Sequence, residues 1–349
     1  GDCAEGLKEY MSEYADPFIA VLLEYAEKVP IVVVVEPDSL PNLATNIGHP
    51  HRGNPATQAA YKNGIKYKLD ELTAKVPAVG IYLDVAHGGW LGWSDNVVKF
   101  VTLLKGTDLP MAKIRGFATN VANYQTLGQQ CPWEPDQGFR NSYCLNAKHS
   151  SDPWCADPCK LFGQYDPGDN ELNYATALVA SIDARVVIDT GRNVVPDERT
   201  DCANWCNPRN AGAGVASTAK ASLLDAHFWL KTPGESDGCS QTLPDGSPCK
   251  RYDSMCGSVV SLGTKASEPP APEAGKWCDH QVKQLAANAQ LSPAPVPPSP
   301  SPTPTPPTPP PSPPLPPSPP RRRRLRARVA TEVQLRRSYM FSDHQLPGW

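Results

Sequence analysis

Apolar strands that alternate with helices are the feature that most restricts the fold of this 349-residue chain. Residues 31–35 form a continuous β-branched run, which is typical of a strand that is buried on both faces. Further strands are predicted at 79–83, 114–118, 185–188 and 226–230, and helical spacing of apolar residues predicts helices at 5–28, 57–75, 96–105, 171–182 and 273–289. This alternation predicts an α/β fold with a parallel sheet.

Polar side chains follow every predicted strand. In chain order they are Asp38, Asp84, Asn120 with Asn123, Asp189, and Lys231 with Glu235. The carboxyl ends of the strands are where α/β barrels collect their catalytic groups, whereas a doubly wound sheet concentrates its site at one switch point. No glycine-rich phosphate loop follows any predicted strand. The pattern therefore favours a barrel with a site at its carboxyl-terminal rim.

Composition divides the chain into a folded and an extended part. Eighteen of the 40 prolines fall between residues 293 and 320. Because proline has no N–H donor and a fixed φ, residues 292–320 are predicted to form an extended polyproline-II linker. Residues 321–349 are predicted to be a basic, disordered tail, which leaves residues 1–291 as the folded domain.

Charge and hydropathy argue against two classes of partner. The net charge is −3 and residues 321–349 contribute +6, so that residues 1–320 carry −9. An acidic domain repels the phosphates of nucleic acid, so we expect no nucleic-acid partner. No apolar run approaches the ~20 residues of a membrane span, so we expect no membrane partner either.

Eleven cysteines favour disulfide bonds over a metal site. Close cysteine pairs occur at 155 with 159 and at 202 with 206, but the seven histidines are scattered. Disulfides form in oxidising compartments, so we expect a secreted, extracellular protein that needs no metal and no cofactor. The odd number leaves one cysteine unpaired.

Carboxyl groups and tryptophans at the same predicted rim point to hydrolysis of glycosidic bonds. This reaction needs a carboxylic acid that protonates the leaving oxygen and a means of activating water on the opposite face of the sugar. The acids are Asp2, Asp38, Asp84, Asp189, Glu235 and Asp237, and the tryptophans are Trp90, Trp93 and Trp205. Asp38 follows a dry strand, where partial burial is expected to raise its pKa towards the range of an acid catalyst.

Six segments in consistent order resemble glycoside hydrolase family 6, the family of cellobiohydrolase II and related endoglucanases. They are VEPDSLPNLATN (35–46), YLDVAHGGWLGW (82–93), RGFATNVANY (115–124), IDTGRN (188–193), WCN (205–207) and KTPGESDG (231–238), and PEAGKW (272–277) also fits. The resemblance runs from residue 2 to about residue 289. Several ordered motifs make it far more specific than any single motif.

The resemblance implies a fold, a reaction and a set of site residues. The fold is a distorted parallel β/α barrel with fewer than eight strands, and the reaction is inverting hydrolysis of β-1,4-glucosidic bonds in cellulose or related β-glucans. It makes Asp38 the proton donor, Asp2 the second aspartate that tunes the donor and helps to order water, and Asp237 the candidate base. The implied sugar contacts are His87, Trp90, Asn123, Trp205, Lys231 and Glu235.

Structural alternatives exist for several of these residues. Asp38 taken alone could cap a helix. Asp84 and Asp189 are interpreted as structural groups that pair with Arg192 or with neighbours. A choice between a core or surface role and a sugar contact stays open for His87, Trp205 and Lys231.

The resemblance also guides the cysteine pairing. It implies a Cys206–Cys256 disulfide, and a Cys239–Cys249 disulfide is expected across the insert 240–248. Two local disulfides are expected among Cys131, Cys144, Cys155 and Cys159. Cys3 lacks the partner that the family places near Arg52, so Cys3 is the expected unpaired thiol.

The beginning of the chain departs from the family pattern. Asp2 has no strand before it, so we expect that one or more N-terminal strands of the barrel are missing and that the chain alone has little activity. The segment between Asp2 and Asp38 is short where the family has a mobile loop. The long segment 239–267 favours a covered site and therefore exo-action.

Three functions remain open at this point. The first is an exo-acting, inverting cellulase that works as a monomer on cellulose or other β-1,4-glucan chains. The second is a non-catalytic glycan-binding or cell-wall protein on the same fold, which the shortened loop and the proline-rich tract favour. The third is an endo-acting β-1,4-glucanase.

Overall fold

The computed structural model describes residues 3–76, 78–128, 143–152, 155, 168–182, 184–195, 204–215 and 224–291. The predictions for Asp2, for the linker at 292–320 and for the tail at 321–349 lie outside these residues.

A five-stranded parallel sheet forms the centre of the fold. Its strands are β1 (Val32–Val35), β2 (Gly80–Asp84), β3 (Gly116–Thr119), β4 (Arg185–Asp189) and β5 (Leu224–Phe228), and they lie side by side in chain order. All four neighbouring pairs are parallel. The predicted α/β class is therefore confirmed. The sheet is open across the part of the chain that the structure describes, in keeping with a distorted barrel.

Helices connect and cover these strands. They are α1 (Cys3–Glu9), α2 (Asp16–Tyr25), α3 (Ser39–Asn46), α4 (Pro55–Lys75), α5 (Gly88–Leu91), α6 (Ser94–Lys105), α7 (Glu171–Ile182) and α8 (Asp279–Ala287). A π-helical turn, Tyr10–Ala15, joins α1 to α2, and 3-10 turns lie at Met111–Lys113 and Ser254–Gly257. Among the described helices, none is both long enough and apolar enough to cross a bilayer.

The two faces of the sheet bury different side chains. Val33 and Val35 pack into the main core with the helices, whereas Val34 points to the inner face. All five strands contribute apolar residues to that inner face, which are Val34, Tyr82, Ala118, Val187, and Ala226 with Phe228. Because side chains in a strand alternate, Asp84 and Asp189 lie on the inner face two residues beyond Tyr82 and Val187. The fold thus places two acids at the carboxyl ends of the central strands.

The described disulfides agree with the sequence predictions. Cys206–Cys256 and Cys239–Cys249 are both present, and Cys144–Cys155 is one of the expected local pairs. Cys3 carries no disulfide, as predicted. Among the described cysteines, the buried Cys278 is a second free thiol, which the sequence did not indicate. Cys131, Cys159 and Cys202 lie outside the described residues.

Candidate active site

Asp38 lies in an unusual turn between β1 and α3. The backbone φ is 46° at Glu36 and 65° at Asp38, a left-handed conformation that costs non-glycine residues about 1–3 kcal/mol and persists only where the surroundings enforce it. The Asp38 carbonyl accepts the Asn42 N–H at 2.9 Å, but its side chain makes no capping hydrogen bond to α3. Asp38 is therefore the N-cap residue of α3, as the alternative interpretation allowed, but its side chain does not serve as the cap.

A second aspartate holds the backbone of Asp38. Asp84 Oδ1 accepts the backbone N–H groups of Asp38 and Ala86, each at 3.0 Å. Asp84 is 1% exposed, and burial, followed by the nearby charge of Asp38, raises its pKa to about 8. Asp84 therefore holds the backbone of the turn, and its protonation depends on the charge of Asp38.

Asp38 has the electrostatic environment of a proton donor. The residue is partly exposed, but its Oδ1 is buried and has no hydrogen-bond partner among the described residues. Burial raises its pKa to about 6, although the charge of Arg192 acts in the opposite direction. The expected rise in the pKa of Asp38 is confirmed, and burial is its cause.

Asp237, unlike Asp38, is paired with positively charged side chains. Its Oδ1 is 2.6 Å from Arg192 Nη1 and 3.2 Å from Lys231 Nζ, and its Oδ2 accepts the Asn207 N–H at 2.9 Å. Burial by itself would raise the pKa of Asp237, but the charges of Arg192 and Lys231 outweigh it and lower the pKa. Asp237 is therefore an ionised carboxylate with both oxygens occupied.

The segment that carries Asp237 is joined to the segment around Asn207. The Asn207 side chain accepts the Asp237 N–H through Oδ1 at 2.7 Å and donates to the Gly238 carbonyl through Nδ2 at 2.7 Å. A Cβ on Gly238 would lie 2.5 Å from Cys256 Sγ, so only glycine fits beside the Cys206–Cys256 disulfide. Two motifs that are distant in the sequence therefore form one rigid wall.

Asp189 braces the backbone rather than pairing with Arg192. Its Oδ1 accepts the Gly191 N–H at 2.7 Å and its Oδ2 accepts the Lys231 N–H at 2.5 Å. Its pKa is raised to about 6 by burial, with Arg192 opposing. The structural role expected for Asp189 is present, but the hydrogen-bonded ion pair of Arg192 is with Asp237.

The predicted sugar contacts differ in how accessible they are. Asn123, Lys231 and Glu235 are half-buried and follow β3 and β5 at the carboxyl-terminal rim. Trp90 and Trp205 are also half-buried, and Trp90 packs against the main core.

His87 is far less accessible than a sugar contact requires. The residue is 2% exposed. The next residue, Gly88, begins α5 and donates its N–H to Glu171 Oε2 at 3.1 Å, which fixes this buried turn.

One exposed aromatic residue near this rim was not singled out from the sequence. Trp277 is 59% exposed, and its backbone pairs with that of Glu235. Its ring covers Gly234, where φ is 95° and an added Cβ would lie 2.7 Å from the ring. The PEAGKW segment gave a motif match at Trp277, but only the fold shows that the ring lies beside Glu235.

Comparison with known proteins settles the family. The sequence model described as glycosyl hydrolases family 6 matches residues 2–289. This chain belongs to glycosyl hydrolase family 6. The fold of the family 6 chain and the order of its rim motifs agree with this membership.

Relatives of this family 6 chain are longer than it is. Exoglucanase A from Cellulomonas fimi is 35% identical over 324 residues, which cover 81% of this chain and 36% of that protein. A probable 1,4-beta-D-glucan cellobiohydrolase C from Aspergillus clavatus is 35% identical over 296 residues, covering 81% and 54%. The chain thus spans about half, or less, of the length of these curated relatives.

A solved structure matches at the level of the fold. The CcCel6A catalytic domain complexed with p-nitrophenyl beta-D-cellotrioside is 32% identical, with a TM-score of 0.60. The match covers 81% of this chain and 69% of that one.

Proposed function

We propose that this chain hydrolyses β-1,4-glucosidic bonds of cellulose or related β-glucans with inversion, and that it releases products from chain ends. The single observation that carries the proposal is Asp38, a partly exposed aspartate at the carboxyl end of β1 with a pKa of about 6. A carboxyl group with that pKa still holds a proton in the weakly acidic range in which it must act as the acid. The exo-action and the substrate are supported by relatives named exoglucanase and cellobiohydrolase.

Asp38 supplies the proton that the leaving group requires. The protonated carboxyl of Asp38 donates to the glycosidic oxygen as the bond between that oxygen and the anomeric carbon breaks. A water molecule attacks the anomeric carbon from the opposite face and loses one proton, so that the product has the inverted configuration. In this proposal Asp2 helps to order that water.

Asp237 is the candidate acceptor for the water proton. Its lowered pKa lies below the pKa of Asp38, so between the two values Asp237 is ionised while Asp38 is protonated, which gives the opposite protonation states that an acid and a base need. Arg192 and Lys231 also weaken it as a base, so it accepts the proton only as water attacks the developing positive charge on the sugar.

Side chains at the carboxyl-terminal rim supply the proposed contacts to the substrate. Trp90 and Trp205 supply flat surfaces on which sugar rings stack, and Asn123, Lys231 and Glu235 supply groups that bond to sugar hydroxyls. His87 is left out of these proposed contacts, because its ring is buried. Cellulose chains are therefore the proposed partner, and the disulfides fit the extracellular location proposed for the protein.

The proposed function is tested by product analysis on the full chain. Swollen cellulose and cellohexaose are incubated with the purified protein, and soluble sugars are separated by chromatography. We expect cellobiose as the dominant product. Binding to cellulose without soluble sugar would favour the non-catalytic glycan-binding protein, and a rapid loss of viscosity with little cellobiose would indicate endo-action.

Stereochemistry tests the reaction class independently. Direct attack by water on a β-linkage gives the α-anomer, so NMR spectra taken in the first minutes of cellotetraose hydrolysis should show α-product before mutarotation. A β-anomer as the first product would mean a retaining mechanism with a covalent intermediate.

Turnover is expected to depend on pH through Asp38. Its pKa of about 6 lies above that of a free aspartate, so the acid form is present below this pH and is lost as pH rises. Above about pH 6, kcat on cellotetraose should therefore fall about tenfold per pH unit. A substrate with a dinitrophenyl leaving group needs no proton and serves as the control. A cellotetraose plateau that extends beyond about pH 8 would contradict the assignment of Asp38.

A further inference from the structure

A lysine is buried beside the turn that carries Asp38. Lys68 lies within α4 and is 1% exposed. Its Nζ donates to Glu36 Oε1 at 2.6 Å and to the Tyr14 hydroxyl oxygen at 3.3 Å. Lysine is almost never fully buried unless it is paired, because an isolated ammonium loses its hydration. The fold therefore buries Lys68 together with a specific partner, Glu36.

Aromatic residues complete the surroundings of this ammonium. Lys68 Nζ lies 4.3 Å from the ring centroid of Tyr14 and 4.5 Å from that of Phe18. Tyr10 belongs to the same π-helical turn as Tyr14, and its hydroxyl donates to Glu36 Oε1 at 2.8 Å. Single π-helical turns inside helices occur frequently at functional sites. The π-helical turn and α4 therefore converge on the carboxylate of Glu36, and Phe18 of α2 packs against the ammonium that binds it.

The charge state of this cluster is well defined. Burial by itself would lower the pKa of Lys68, but the charge of Glu36 and the bonds to Glu36 and Tyr14 outweigh it and raise the pKa. The pKa of Tyr10 is raised well above its ordinary value by burial and by Glu36, so its hydroxyl stays a donor. Glu36 thus receives two hydrogen bonds on Oε1, one of them from a cation.

Glu36 is also the first residue of the strained turn 36–38. The turn has φ of 46° at Glu36 and 65° at Asp38, and the backbone carbonyl of Glu36 accepts the Ser39 N–H at 3.1 Å. Asp84 holds the far end of the turn through the Asp38 N–H. Non-glycine residues keep such backbone angles only where the surrounding contacts fix them. At the near end, Lys68 and Tyr10 both donate to the Glu36 carboxylate.

We propose that Lys68 is a positioning residue for the proton donor. Its ion pair with Glu36 fixes the turn 36–38, and through that turn it holds the Asp38 carboxyl in the orientation that proton transfer requires. This inference rests on the proposed role of Asp38. A displacement of only ~1 Å at a catalytic group can cost about 100-fold in rate, so fixing this turn has a direct effect on turnover.

The closing experiment compares two substrates that differ in their need for an acid. Cellotetraose requires protonation of its leaving oxygen, whereas 2,4-dinitrophenyl β-cellobioside releases a phenolate that does not. For Lys68→Met in the full chain, we expect kcat on cellotetraose to fall at least about 10-fold and kcat on the dinitrophenyl substrate to change less than about 2-fold, with KM little affected. Equal losses on both substrates, or no loss on either, would show that the pair only stabilises the fold.

A neighbouring lysine provides the matched control. Lys66 lies on the same helix and pairs with Asp70 at the surface, where the two side chains are 36% and 42% exposed. Lys66→Met removes the same charge, and both rates should stay within about 2-fold of wild type. A loss of cellotetraose activity in Lys66→Met equal to that in Lys68→Met would overturn the inference.

Asp38→Asn in the same assays separates the inference from the proposed function. Asp38→Asn should lose activity on cellotetraose and keep it on the dinitrophenyl substrate. If it keeps both, the role of Asp38 fails. If it behaves as expected while Lys68→Met does not, only the role of Lys68 fails.

Two further measurements cover variants that do not fold or a chain without turnover. If Lys68→Met does not fold, Tyr10→Phe is used instead, because it removes only one hydrogen bond to Glu36. We then expect a smaller loss of kcat that is confined to cellotetraose. A loss of the same size on both substrates, or no loss on either, would overturn the inference. If the chain shows no turnover, crystal structures of wild type and Lys68→Met decide, and an unchanged turn 36–38 overturns it.

Discussion

Asp38→Asn is expected to lower kcat on cellotetraose by at least about 100-fold, because asparagine has no acidic proton to give to the glycosidic oxygen. Asparagine is nearly the same size and adopts positive φ more readily than most residues, so the turn at φ 65° should be preserved. The dissociation constant for cellotetraose should therefore change little. Initial rates and calorimetric titrations of wild type and variant measure both quantities.

The control for this substitution is an aspartate outside the rim. Asp245 lies in an exposed turn of the insert between Cys239 and Cys249, where it accepts hydrogen bonds from Ser247. Asp245→Asn makes the same chemical change and should leave kcat within about 2-fold of wild type. Wild-type turnover of cellotetraose by Asp38→Asn would remove Asp38 from the mechanism.

Arg192→Met is expected to lower the free energy of unfolding by about 3–5 kcal/mol, because it leaves a buried carboxylate without its main partner. The Arg192 and Asp237 side chains are each 3% exposed, and Arg192 also donates to the carbonyl groups of Val121 and Ala122. Its guanidinium lies 4.3 Å from the Tyr124 ring centroid. Equilibrium unfolding in urea measures the change.

An exposed ion pair provides the comparison. Arg251 pairs with Glu273, but its side chain is 58% exposed and the pair is screened by water. Arg251→Met should therefore cost about 0–1 kcal/mol. Equal losses from the two substitutions would mean that the Arg192–Asp237 pair contributes no more than a surface contact.

The pH dependence of stability should change as well. The pKa of Asp237 is lowered in the folded state, so its pairing stabilises the fold above the pKa of an unfolded aspartate and is lost as pH falls through the folded value. In Arg192→Met, the free energy of unfolding should therefore decrease less as the pH falls than it does in wild type. Unfolding midpoints measured from neutral pH down to about pH 3 test the sign.

The sequence by itself determined the class of fold, the order of the rim segments and the family. The β-branched runs predicted parallel strands, and the helix at Glu171–Ile182 begins and ends where its apolar stripe indicated. These strands and helices depend on the local periodicity of apolar residues, which can be seen in the sequence itself. The roles predicted for Asp38 and for the Cys206–Cys256 pair rested on the ordered motifs, because matching several motifs of a family implies the arrangement that its members share.

Local pattern was insufficient where an element is short or interrupted. The helix Ser39–Asn46 was not predicted, because it has only eight residues and includes Pro41. Proline is tolerated there because the first N–H groups of a helix have no partner within the helix. The fifth strand lies at Leu224–Phe228, two residues earlier than predicted, since neighbouring apolar residues fit the same short run.

Only the tertiary structure decided which charges meet. Arg192 pairs with Asp237 across 45 positions, and Lys68 pairs with Glu36 across 32, and neither pairing follows from any periodicity. Whether a charge is paired depends on the distance between side chains of different elements and on how much water reaches them, and a linear sequence specifies neither. The raised pKa of Asp38 was expected from its dry strand, but the turn that holds it, the carboxylate of Asp84 beneath it and the buried Lys68 beside it exist only once β1, β2 and α4 are packed together.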